Sequence, residues 1–210
     1  MSKFKKRSTM ILILSLILCG FSCGKVEKSI VNNVSETENI NDLPYIGLMV
    51  CYSIDTNDFR ELAGFADYIF IGYVDEMVNT EYKERHDILT NYKITVLDNI
   101  KGELIKDDSI PMVKDGGVSK DGKFLEIDSR DFMPLEGNMY VFYGNGKEDG
   151  SIFISGANSN YLLEENAEKE LVETNEEYLK SHEILRKVIQ GYENEIVSDR
   201  QRYKSKYEAK

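Results

Sequence analysis

The sequence predicts a mainly β fold of the α+β class: a small five-stranded barrel, with a short helix before it and a C-terminal helical region after it. Three observations carry this. Short runs of branched and aromatic residues recur from Tyr45 to Ser155, Gly- and Asn-rich turns separate them, and a charged pattern with helical apolar spacing follows from Ala167 to Tyr207. A two-sheet sandwich is the alternative for the β part.

The run Tyr45 to Ile54 reads as a buried strand, and Cys51 inside it reads as an inert core thiol. A catalytic Cys51 would need a His partner. Asp55 to Asp58 supply capping residues before Phe59 to Ala66, where Phe59, Leu62, Ala63 and Ala66 recur at helical spacing. Tyr68 to Val78 and Tyr92 to Leu97 read as strands, with the polar Asn79 to Asp87 joining them as a hairpin loop. Ser109 to Lys114, Met139 to Tyr143 and Ser151 to Ser155 are three more. Between them lie Asp115-Gly116-Gly117, Asp121-Gly122, Glu136-Gly137-Asn138 and Asn145-Gly146, residues that accept a positive φ. So many strands at short spacing favour a closed or nearly closed barrel, which leaves few exposed edges. The barrel domain is expected over residues 45–165 and the helical region over 166–210.

In that last region Leu185, Val188, Tyr192 and Ile196 form an apolar stripe, widened by Ile184 and Ile189. The stripe is expected to pack on the barrel or fold back on Ala167 to Leu179; a partner-binding helix is the alternative. Gly191 weakens a continuous coiled coil, because glycine costs about 1 kcal/mol inside a helix.

The N-terminus specifies an address. Lys3, Lys5, Lys6 and Arg7 precede the apolar run Met10 to Leu18, which has the length of a signal-peptide core and is too short to span a bilayer. The following Gly20-Phe21-Ser22-Cys23-Gly24 resembles the lipobox of bacterial lipoproteins. That resemblance implies a signal peptide over residues 1–22, removed before Cys23, and a diacylglyceryl lipid on the Cys23 thiol. Two acyl chains suffice for stable anchoring. Gly20 stands where the family has Leu, and Cys19 is a rival that follows the bulky Leu18. An ordinary cleaved signal peptide is the alternative. Residues 23–44 read as a polar tether from lipid to domain.

The whole chain carries a formal charge of −11, and its first 22 residues hold four basic groups and no acid, so the remainder stands at −15. Phosphate backbones repel such a chain, and nucleic acid is not an expected partner.

The stretches Ala66 to Val74, Tyr92 to Val96 closing on Lys101-Gly102, and Leu135 to Phe142 resemble netrin-like domains, which include the inhibitory domains of tissue inhibitors of metalloproteinases. The resemblance spans about residues 58–157 and implies a five-stranded OB-like barrel. Those inhibitors ligate a target's metal with a disulfide-held terminal cysteine, and this chain has no such disulfide framework. Protease inhibition is not implied.

Catalytic signatures are few. His86 and His182 lie far apart in polar surroundings, with no zinc spacing around them, and neither a Gly-x-Ser-x-Gly elbow nor a phosphate-binding loop occurs. The sequence thus assigns no catalytic, cofactor or metal residues. Asp115, Asp121, Asp128 and Asp131 cluster around glycine turns, but not at EF-hand spacing, and read as solvated turn residues. The expected function is a membrane-anchored extracytoplasmic lipoprotein acting as a binding or protein-interaction module, with an envelope protein as the expected kind of partner. The alternative is an envelope hydrolase using acidic residues.

Overall fold

The structure, a computed structural model, describes residues 39–48, 51–83, 88–170 and 176–210. The signal peptide, Cys23, most of the tether and His86 lie outside them.

The chain folds mainly as β-structure with a few short helices. A one-turn 3-10 helix (Ile40–Asp42) precedes strand β1 (Tyr45–Leu48), and helix α1 (Phe59–Phe65), β2 (Tyr68–Tyr82) and β3 (Ile88–Lys101) follow. Next come β4 (Ser109–Asp115), β5 (Gly117–Val118), β6 (Leu125–Asp128), β7 (Met139–Gly146), β8 (Ile152–Ile154) and β9 (Asn160–Glu164). Helices α2 (Glu176–Ser181) and α3 (Glu183–Glu193) follow. Among the described residues no helix is long and apolar enough to cross a membrane.

Two sheets form. In the six-stranded sheet β2 pairs antiparallel with β3, β3 with β4, β4 parallel with β8, β8 with β7, and β7 back with β2, while β9 adds to β7. Consecutive strands of this circuit are neighbours except at the step from β4 to β7. That crossing carries an excursion whose β6 and β5 join β1 in a small three-stranded sheet, β1 running parallel to β6.

The period of two along β2 and β7 sorts their side chains between two cores. Tyr68, Phe70, Val74, Tyr140 and Phe142 enter one core with Tyr92, Ile94, Ile110 and Met112. Their sequence neighbours Ile69, Ile71, Val141 and Tyr143 enter the other, against Leu62 and Ala63 of α1 and Leu185 and Val188 of α3. Both faces are therefore covered, which is why β2 opens as the nearly unbroken apolar run Tyr68 to Gly72. Asp58 caps α1, its side chain accepting a hydrogen bond from Arg60 N at 2.9 Å. Gly191 lets α3 cross α1 closely, since a Cβ there would lie 2.6 Å from Phe59 Cβ.

The expected α3 stripe packs on the sheet, with Leu185 and Val188 fully buried. The helical reading extends too far, however. Residues 195–210 leave the helix and run in irregular form across the molecule, with Ile196 47 % exposed. The strand expected from Tyr45 to Ile54 ends at Leu48, and Cys51 is exposed rather than buried. Tyr45 and Ile46 lie on the surface as well, because β1 pairs on one side only, with β6. Strands β5, β6 and β9, which propensity alone did not mark, are short and held by their neighbours.

Candidate functional site

Strand β4 alternates with Ile110, Met112 and Lys114 buried, while Ser109 and Pro111 are exposed. The inward row thus ends on a lysine, and Lys114 has a side-chain exposure of 0 %. Its ammonium forms an ion pair with Asp131, which is carried on the excursion between β4 and β7 and is 1 % exposed. Lys114 Nζ also lies 2.6 Å from Ser159 Oγ, and that hydroxyl lies 3.2 Å from Asp131 Oδ2. Ser159 belongs to the β8–β9 turn, where Gly156 and Asn158 adopt positive φ of 91° and 59°. One polar cluster thus ties the strand circuit, the excursion and this turn together. Burial pushes the Asp131 carboxyl above the usual range and the Lys114 amine below it, against the attraction of each for the other.

Above Asp131 sits a cavity of about 60 Å³, walled by Tyr52, Asp115, Ile127, Asp128 and Ser155. Tyr52 Oη donates to Asp128 Oδ2 at 2.8 Å and accepts from Ala157 N at 3.0 Å. Burial, and then the bond to Asp128, raise the Tyr52 hydroxyl to about 12. Burial works against the Asp128 charge too, but hydrogen bonds from Arg130 and Tyr52 outweigh it and hold that carboxyl below its usual range. The Arg130 guanidinium lies 5.1 Å from the centre of the Tyr52 ring, closing the arrangement.

The stability contributed by ionised Asp128 is complete above the ordinary carboxylate range, near pH 3.9, and is lost as the pH falls through the lower folded-state value. Urea midpoints of the parent chain and Asp128→Asn are expected to differ at pH 7 and to converge in acid. A gap that persists unchanged to pH 3 would contradict this.

An open groove of about 640 Å³ lies on the outer face beside this cavity. Leu89 of β3, Val113 of β4 and Phe153 of β8 form its floor, with Lys83 and Lys147 at its rim. Lys147 Nζ stands 4.0 Å from the Phe153 ring centre. Asp115 lines both groove and cavity.

Of the four aspartates grouped by sequence, Asp115, Asp128 and Asp131 share the cavity, and two of them are buried rather than solvated. Asp121 stands apart, accepting from Ser119 Oγ at 2.7 Å. His182 precedes α3, its Nδ1 3.0 Å from the Tyr178 carbonyl and its ring stacked on Tyr178 at 4.2 Å. Among the described residues no group of three His, Cys, Asp or Glu side chains is placed to hold a metal ion. Sequence reasoning missed Lys114 and Tyr52. The period of β4 carries the signal for Lys114, at the inward parity of Ile110 and Met112. No family model matches the chain, and no curated protein matches its sequence significantly.

Proposed function

We propose that this chain is an extracytoplasmic lipoprotein, anchored through Cys23, whose five-stranded OB-like barrel presents the groove around Phe153 to a ligand. The observation that carries the binding reading is the groove itself. Its volume of about 640 Å³ matches the roughly 300–1,000 Å³ of small-ligand sites, with a mixed apolar and charged lining. The cavity of about 60 Å³ has room for only a few waters. The circuit β2–β3–β4–β8–β7, with its one crossing step, supports the Greek-key barrel. In such barrels the second and third strands, with the loops between strands one and two and between four and five, form the ligand face. Here those parts are β3, β4, Lys83 just after β2 and the turn carrying Lys147.

A photoreactive residue placed at position 153 of the lipidated protein in cells tests the groove. Adducts are expected there and not at position 204, where Lys204 is 89 % exposed on another segment. Equal capture at both positions, or none, sinks the groove as a ligand site. The anchor is tested separately by labelling with a palmitate analogue, expected to vanish in Cys23→Ala together with membrane retention. Retained label in that variant removes Cys23 from the proposal.

One observation favours a second reading, an envelope hydrolase. Asp128 and Asp131 face one cavity, as a pair of carboxyls sharing acid and base work would, although Lys114 already engages Asp131. The small volume of that cavity keeps it second.

A further inference from the structure

We propose that residues 195–210 are the closing element of the fold: they neutralise Asp67 and complete Tyr68, and a chain without them does not reach the folded state. This strap lies C-terminal to every helix and strand described, and it binds segments that the strand pairings leave separate. Ile196 N donates to Arg60 O at 3.0 Å and Ser198 N to Gly64 O at 3.1 Å. Arg200 Nε donates to Phe65 O at 2.7 Å, and Arg202 Nη1 to Ala66 O at 3.1 Å. The carbonyls of Gly64, Phe65 and Ala66 are ones that the C-terminal turn of α1 leaves without helical partners, whereas Arg60 O belongs to the helix interior.

The same two arginines hold a buried charge. Asp67 has a side-chain exposure of only 7 %, and Arg200 and Arg202 each approach its Oδ1 at 2.8 Å. Next to it, Tyr68 accepts from Ser205 N at 2.6 Å and donates to Glu208 Oε1 at 2.5 Å, while its ring lies inside the first core. Farther along, Lys206 N bonds Gly150 O in the β7–β8 turn, and Ile105 N bonds Tyr207 O on the β3–β4 connection. Tyr207 packs against the first core.

The strap has a prepared bed. A Cβ at Gly64 would meet Ile196 O at 1.8 Å, and one at Gly146 would meet Tyr203 O at 2.1 Å. Removing the strap takes the two cations from Asp67, takes both partners from the Tyr68 hydroxyl and takes Tyr207 from the edge of the first core. Such losses together are comparable with the whole stability margin of a domain. The use of this device in keeping an exported chain open until residues 195–210 are made rests on the export proposal; the folding claim does not.

The test compares the full chain with one ending at Asn194, both refolded from urea and followed by far-UV circular dichroism and amide exchange. The truncated chain is expected to show no cooperative transition and no protection in β2. A cooperative transition with protected β2 amides overturns the proposal. In the full-length chain, Arg200→Ala/Arg202→Ala is expected to melt well below the parent, and adding Asp67→Asn is expected to recover part of the loss. A triple variant no more stable than the double overturns the role given to Asp67.

Discussion

Asp131→Ala is expected to lower the unfolding free energy by about 3–5 kcal/mol, the range for removing one partner of a buried ion pair. Lys114 would keep its place in the inward row of β4 with no anion beside it, and Ser159 Oγ cannot replace a full charge. Replacing both partners, as Lys114→Met with Asp131→Leu, is expected to cost far less, because apolar groups of similar volume fill the space without desolvating charge. Urea unfolding of the two variants decides the matter. Equal losses would show that the cluster acts through shape rather than charge. The single variant also carries a pH signature. Burial already holds the Lys114 amine below its usual range, and an absent carboxylate lowers it further. The penalty is therefore full below that folded-state value, shrinks as the pH rises through it, and vanishes only above the ordinary lysine range, where the amine is neutral in both states.

Leu185→Asp is expected to cost more than 4 kcal/mol, enough to leave the domain marginal. Leu185 is 0 % exposed, in the core shared by α1, α3 and the outer faces of β2 and β7. Losing its burial costs about 1.5–3 kcal/mol, and a carboxylate in its place adds a desolvation cost or must take up a proton. Ile196→Asp, at a position 47 % exposed just past the helix, is expected to stay within about 0.5 kcal/mol. Thermal melts of the two variants provide the check. A Leu185→Asp melting temperature equal to that of the parent would detach α3 from the sheet.

What was legible in the sequence is what local pattern controls. Tyr68 to Val78 and Met139 to Tyr143 announced themselves as runs of branched and aromatic residues, and Phe59 to Ala66 by apolar residues at helical spacing. The strap did not. Arg200, Arg202, Lys204 and Lys206 are all good helix formers, and partners far away in the chain, such as Phe65, Asp67 and Gly150, hold that segment out of a helix. Cys51 misled for the opposite reason. Its apolar neighbours suggest a core, but among the described strands β1 pairs with β6 alone, and Cys51 lies beyond its end, exposed. The site was half legible: three clustered aspartates do share a cavity, but the lysine that makes Asp131 a buried partner sits on β4, 17 residues before it.

The double lining of β2 and β7 has a thermal consequence. Ile69 and Phe70 are consecutive, yet they sit in different compartments, so the wall between them is braced from both sides. Loosening α3 exposes one side only and leaves the ladder of that wall intact. Heating should thus dismantle the molecule in layers, with α2 and α3 exchanging their amide protons at lower free energy than β2, whose protons are released only by the loss of the whole.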